Sequence, residues 1–277
     1  MKGTIERETY RLNYLQKGDT TKSAILVIGS TVYYPRLFEN PIYESLHLVF
    51  IDHRGFSKPD SSTAGYSLND IVEDIEELRQ AMQLENFYVL GHSGHGFMAM
   101  AYAEKYGQHV EGIILSNLAP TNSKERQEGS IAYFEEMASE ERKNYFYQEI
   151  AKLQGDIKSD PDNRFSHMNI RMQAHSFYDY QFDGAWLWKG VANNMPALDY
   201  LWGEAFAVFD TTRFLRHWEK PVILLLSEYD YLVAPTQLWE EITKERGILK
   251  IDFPKSGHNP MLEEPEAYYE ALVNFID

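Results

Sequence analysis

The chain has 277 residues, 44% of them hydrophobic and 25% charged, an ordinary globular balance with ample material for a core. Its formal net charge of -16 opposes nucleic-acid phosphates and anionic lipid surfaces, so neither nucleic acid nor a membrane is expected as a partner. Cysteine is absent, which excludes disulfides, thiolate metal sites and a cysteine nucleophile.

Residues Met1 to Glu8 lack the apolar stretch of a signal peptide, and no apolar run is long enough to span a bilayer. The expected location is therefore the cytoplasm. Residues 4–16 alternate and read as an opening strand pair. Ala24 to Ile28 is a continuous apolar run ending at Gly29, the pattern of a strand buried on both faces. A short helix is expected near Pro35. Leu48 to Ile51 is a second buried strand, closed by Asp52-His53-Arg54-Gly55; Asp52 and Arg54 read as an internal ion pair. Ser67 and Asp70 form a capping-box-like start to a helix carrying Leu68, Ile71, Val72, Ile75, Leu78 and Met82. Strands follow at 87–90 and 110–115, separated by a helix with Tyr102 and Ala103.

This alternation predicts an α/β fold, a mostly parallel central sheet with helices on both faces. It stops between about 120 and 215, where the chain is first polar and then rich in aromatics. Glu125 to Glu141 reads as a solvated helix face. Alternation resumes with a strand at 221–226, a helix over 235–246, a strand over 248–253 and a last helix over 262–276. The expected organisation is one core from residues 1–120 and 216–277, with 121–215 inserted as a helical cap.

Chemistry concentrates at strand ends, where open α/β sheets gather reactive groups. Gly91-His92-Ser93-Gly94-His95-Gly96 follows the strand at 87–90 and precedes a helix. A serine in such a tight turn projects its hydroxyl clear of the sheet at a helix N-terminus, as a nucleophile requires. A serine needs a base, and the base needs an orienting group. Asp230 follows the strand at 222–226, although Glu228 or Asp210 would also supply an acid. His258 follows the strand at 248–253. His92 reads as structural, and His95 as a packed, hydrogen-bonded ring bordering the site. His167 and His175 lie in the insertion, with no carboxylate at metal-ligand spacing.

These motifs together resemble the α/β-hydrolase family. Asp52-His53-Arg54-Gly55 is similar to its Asp-x-Arg-Gly, and Asp230 followed by Pro235 is similar to its acid loop. Gly257-His258-Asn259-Pro260-Met261-Leu262-Glu263-Glu264-Pro265-Glu266 resembles its Gly-His-x-Pro-x-x-Glu-x-Pro-Glu. The departure is His95, where the Gly-x-Ser-x-Gly pattern has glycine. The resemblance implies a Ser93, His258, Asp230 triad working through an acyl-enzyme. Gly94 N–H and a donor after the first buried strand, Ser30 or its neighbour Thr31, would form the oxyanion hole.

The inserted cap is similar to the branch holding proline iminopeptidases, small-ester hydrolases and C–C bond hydrolases. Against a peptidase, Ile28-Gly29-Ser30-Thr31-Val32 stands where those enzymes carry His-Gly-Gly-Pro-Gly. Trp186, Trp188 and Trp202 are the aromatic anchors of the cap. Trp186, Trp202, His95 and Glu204 are the expected substrate contacts, and Glu204 or Asp199 would hold a cationic group. A small molecule or short peptide is the expected substrate. A triad-retaining ligand-binding protein and a non-hydrolytic member of the fold are the other readings. No metal or organic cofactor is implied, and the oligomeric state is open.

Overall fold

The computed structural model describes residues 1–59 and 65–276; residues 60–64 and 277, within the expected core segments, lie outside the described residues. Eight strands form one sheet in the order β1-β2-β4-β3-β5-β6-β7-β8. They are β1 (Lys2–Arg7), β2 (Tyr10–Gly18), β3 (Ala24–Gly29), β4 (His47–Asp52), β5 (Phe87–His92), β6 (Val110–Ser116), β7 (Val222–Ser227) and β8 (Leu249–Phe253). β2 pairs antiparallel with both β1 and β4, and every pairing from β4 to β8 is parallel.

Successive side chains of a strand point to opposite faces, and β3 shows the result. Ala24, Leu26 and Ile28 join one hydrophobic cluster; Ile25 and Val27 join the other. The first cluster takes in the helices Leu68–Ala81 and His95–Tyr106, and the second the helix Pro265–Ile276. A strand covered on both faces has no polar position to offer, which is why β3 and β4 are apolar through their centres. The helix Leu68–Ala81 opens with a reciprocal capping box: Asp70 N–H donates to Ser67 Oγ at 3.2 Å, and Ser67 N–H to Asp70 Oδ2 at 2.8 Å.

Between β6 and β7 the described chain is helical. Ser123 and Ser139 cap the helices Lys124–Met137 and Glu140–Ile150 by accepting from the backbone of Arg126 and Arg142. The helix Thr211–His217 runs across residue 215 and buries Phe214 and Leu215 in the core. A division after residue 215 would therefore cut an element. Among the described residues no helix is long and apolar enough to cross a membrane.

Two expectations need correction. The terminal helix is two pieces, Pro260–Glu263 and Pro265–Ile276, because Pro265 lacks the N–H needed inside a helix and instead begins one. Asp52 and Arg54 are not partners. Arg54 is buried and its planar fork meets Asp74 twice, at 2.5 and 2.8 Å, with Glu8 at 2.9 Å. Asp52 instead accepts from Thr31 N–H at 2.6 Å and from Asn13 Nδ2 at 2.7 Å, so it holds the loop after β3 against β2.

Candidate active site

Ser93 occupies the turn between β5 and the helix His95–Tyr106, with φ at 56° in the left-handed region. Such a conformation costs a non-glycine residue about 1–3 kcal/mol and persists only where surrounding contacts enforce it. Two such contacts are evident. Ser93 N–H donates to Ser116 O at 2.9 Å, and Ser93 O accepts from Gly96 N–H at 2.9 Å. A side chain at Gly91 would bring its Cβ within 2.5 Å of Gly96 Cα. Strand and helix backbones thus touch at glycines 91 and 96, one residue beyond the usual spacing, which leaves position 95 free for a ring.

The other two strand ends converge. His258 Nδ1 lies 2.7 Å from Asp230 Oδ2, and both residues are buried. Asp230 is further held by Leu232 N–H on Oδ1 at 3.1 Å and by Asn117 Nδ2 on Oδ2 at 2.8 Å. Asn117 directly follows β6, has φ at 48°, and also donates to Gly257 O at 3.1 Å. One side chain therefore ties the acid to the histidine loop. Its signal in the sequence is a polar residue directly after a buried strand, the same signal that singled out Asp230. The histidine loop is also pressed against the inserted segment: His258 N–H donates to Ser176 O at 2.6 Å. Glu263 accepts from Gly257 N–H at 2.8 Å and from Tyr178 N–H at 2.7 Å, while burial pushes its pKa up to about 8.

His95 belongs to a polar chain under the turn, and the tautomers follow from its fixed ends. Gly55 N–H donates to His53 Nδ1 at 3.0 Å, so neutral His53 carries its proton on Nε2. That proton points to His95 Nε2 at 3.1 Å, which leaves His95 protonated on Nδ1, 2.9 Å from His92 O and 2.8 Å from Tyr34 Oη. Tyr34 Oη then donates to His92 Nδ1 at 3.0 Å, and His92 Nε2–H donates to His258 O at 2.6 Å. Every member is satisfied with all three rings neutral. Burial supports that state: it draws His95 down to about 4 and holds His53 and His92 well below the usual histidine range.

Ser93, Gly94, His95 and His258 border one cavity of about 370 Å³, a volume suited to a small organic molecule. Its walls include Tyr33, Phe56, Phe97, Phe165, Trp188 and Trp202. Of the expected substrate contacts, Trp202 and His95 border it. Trp186 and Glu204 do not: Trp186 is 40% exposed, and Glu204 lies on the outer surface. Residues two apart on a helical turn face opposite sides. Turning Trp188 and Trp202 inward therefore turns Trp186 and Glu204 outward. Asp199 is exposed and paired with Arg164. Ser30 is buried beside the cavity, its Oγ accepting from Val32 and Tyr33 N–H, while Tyr33 and Tyr34 provide the surface there. Thr31 N–H is engaged by Asp52, which removes it as an oxyanion donor.

His175 also borders the cavity. It stacks on Phe134 at 3.7 Å between ring centroids, and burial lowers its pKa to about 3. His167 makes a surface pair with Asp160. Among the described residues no group of three His, Asp or Glu side chains is placed to hold a metal ion.

Comparison with known proteins agrees with this architecture. Residues 28–265 match the family described as alpha/beta hydrolase fold. The chain is 45% identical to the AB hydrolase superfamily protein YclE of Bacillus subtilis (strain 168), over 99% of this chain and 98% of that one. It is 35% identical to a proline iminopeptidase of Elizabethkingia meningoseptica, over 76% of this chain and 72% of that one. An alpha/beta fold family hydrolase from Bacillus anthracis str. Sterne superposes with a TM-score of 0.73 at 18% identity, covering 99% of each chain. An esterase from Exiguobacterium antarcticum does so at 0.68 and 19%, covering 96% of each. With the family model matching residues 28–265 and a 45% identical relative covering nearly the full chain, this protein is a hydrolase that belongs to the α/β-hydrolase family.

Proposed function

We propose that the chain is a serine hydrolase that cleaves a small carboxylic ester through an acyl-enzyme. The observation that carries this is the buried 2.7 Å contact of His258 Nδ1 with Asp230, in the cavity that also receives Ser93 from its strained turn. Asp230 fixes the tautomer with the Nδ1 proton inward, so Nε2 acts as the base. Ser93 Oγ attacks the ester carbonyl carbon as its proton passes to His258 Nε2. The tetrahedral oxyanion forms against Gly94 N–H, at the N-terminus of the helix His95–Tyr106, with Ser30 N–H as second donor. Collapse breaks the bond to the leaving oxygen, which takes the proton from His258. A water, deprotonated by His258, then attacks the acyl carbon and returns Ser93. The segment 121–215 serves as a cap that roofs the cavity and selects the acyl group.

A second reading, a proline iminopeptidase-like aminopeptidase, is suggested by relatives of that name. Recognition of a free ammonium needs a carboxylate, and among the described residues the cavity wall has none. The ester reading is therefore preferred over the short-peptide one. A triad-retaining ligand-binding protein remains the contrasting outcome of the test. Intact-mass labelling with a fluorophosphonate should give one adduct on the wild type and none on Ser93→Ala. An unlabelled wild type at neutral pH would sink the hydrolase mechanism and favour the binding protein.

A further inference from the structure

The one full cation at the cavity wall among the described residues is Arg126, on the first turn of the helix Lys124–Met137. It is half-buried and has no carboxylate partner among the described residues; its acceptors are all neutral. Nε donates to Thr121 O at 3.2 Å, and Nη1 to Leu232 O at 2.8 Å and Ser130 Oγ at 3.2 Å; Nη2 donates to Asn122 Oδ1. A guanidinium has five N–H groups, so one on Nη2 is left over. Asp230, the nearest acid of the site, acts on Arg126 only through space. Its own oxygens are taken by His258, Asn117 and Leu232 N–H. Through Leu232, two residues after Asp230, whose N–H meets Asp230 and whose O meets Arg126, the guanidinium is fixed to the acid loop.

We propose that Arg126 receives a carboxylate of the substrate, which makes the substrate class a small ester bearing a second, free carboxylate. This rests on the serine-hydrolase reading above. A cation set in an aromatic cavity with neutral partners is incompletely compensated, and an anion arriving there is both paired and desolvated. Among the described residues the wall offers such an anion no like charge, since none of them that border the cavity is Asp or Glu.

Arg126 also staples its helix to the acid loop, so the test must separate recognition from structure. Two matched ester pairs do this: 4-nitrophenyl pentanoate against 4-nitrophenyl hydrogen glutarate, and methyl 4-acetoxybenzoate against 4-acetoxybenzoate. They place the carboxylate on the acyl and on the leaving side. In at least one pair, Arg126→Gln should lower kcat/KM for the anionic member about 30-fold, chiefly through KM, and leave the neutral member within about threefold. Arg126→Lys, which keeps the charge but not the fork, should fall between. Equal losses for both members of each pair, or an unchanged ratio, would overturn the proposal and leave Arg126 a structural staple. Calorimetry on Ser93→Ala needs no turnover. Binding of the hydrogen glutarate ester or of 4-acetoxybenzoate that Arg126→Gln abolishes in that background supports the assignment, and its absence for both overturns it. Absence of ester turnover and fluorophosphonate labelling in the wild type would instead be a failure of the hydrolase reading.

Discussion

Ser93 sits where its backbone would rather hold glycine, and that tension separates function from stability at a single residue. Ser93→Ala removes the hydroxyl but keeps the left-handed strain. Ser93→Gly removes both, because glycine adopts φ near +56° without steric cost. Ser93→Gly should therefore be more stable than wild type by about 1 kcal/mol, with turnover and labelling lost, while Ser93→Ala stays close to wild type in stability. Urea unfolding midpoints of the three proteins test this; equal midpoints for the two variants would mean that the turn stores no strain. At this scale the sequence was legible where chemistry is local. Ser93, Asp230 and His258 each follow a strand of the parallel sheet, and β5, β7 and β8 deliver them to one edge of that sheet. Trp186 reads from the sequence as an aromatic anchor and Glu204 as an acid beside a tryptophan, and neither pattern says which side of a short helical turn faces inward. Asn117 has no acid–base chemistry to mark it in the sequence, yet it is the side chain joining acid loop to histidine loop.

At the scale of elements, the turn at Ser93 depends on how closely β5 and the following helix approach. A methyl group on Gly91 would meet backbone, Gly96 Cα at 2.5 Å and His95 O at 2.6 Å, which cannot give way without parting strand from helix. A methyl on Gly96 would meet the end of the Leu118 side chain at 2.4 Å, which can rotate. Gly91→Ala should thus cost about 2–4 kcal/mol and reduce fluorophosphonate labelling. Gly96→Ala should cost less and keep labelling. Thermal unfolding and labelling of the pair decide it, and the reverse order would show that the turn is not set by backbone contact. The same packing explains why strand and helix positions could be read ahead of the structure. Strands buried on both faces must be apolar throughout, and amphipathic helices must repeat every three or four residues. The segment from 121 to 215 has no sheet to impose such a rhythm. Several of its helices are a single turn or little more, such as Ala185–Trp188 and Met195–Tyr200, too short to show a repeat; the first puts Leu187 in the core and Trp188 on the cavity.

For the molecule as a whole, the buried histidine rings beneath the Ser93 turn and on the cavity wall set the pH dependence of stability. An exposed histidine titrates near 6.5. In the fold His95 is lowered to about 4 and His175 to about 3, and His53 and His92 lie well below 6.5, burial being the leading cause in each. Between these values and 6.5 the unfolded chain binds more protons than the folded one, so stability contributed by the neutral rings is present above 6.5 and is lost as pH falls toward 4. Each ring contributes at most about 1.4 kcal/mol per pH unit in that window. Glu263 works with the opposite sign. Its pKa rises from 4.5 to about 8, so the folded chain holds the extra proton, and stability is lost as pH rises through that interval. Below 6.5 four rings outweigh one carboxyl; above 6.5 the carboxyl acts against nothing comparable. Stability should therefore peak near pH 6.5, fall steeply toward pH 4.5 and decline gently toward pH 8. Urea midpoints across this range measure it. Glu263→Gln should flatten the alkaline side and steepen the acid side above pH 4.5, where the carboxyl opposes the rings, since an amide keeps the acceptor oxygen for one backbone donor and does not titrate. A wild-type midpoint that keeps rising to pH 8 would show that Glu263 is ionised in the fold, held by the backbone N–H groups of Tyr178 and Gly257. A midpoint flat from pH 6.5 to 5 would show that the histidine chain takes up protons without unfolding, and the tautomers assigned to it would then be wrong.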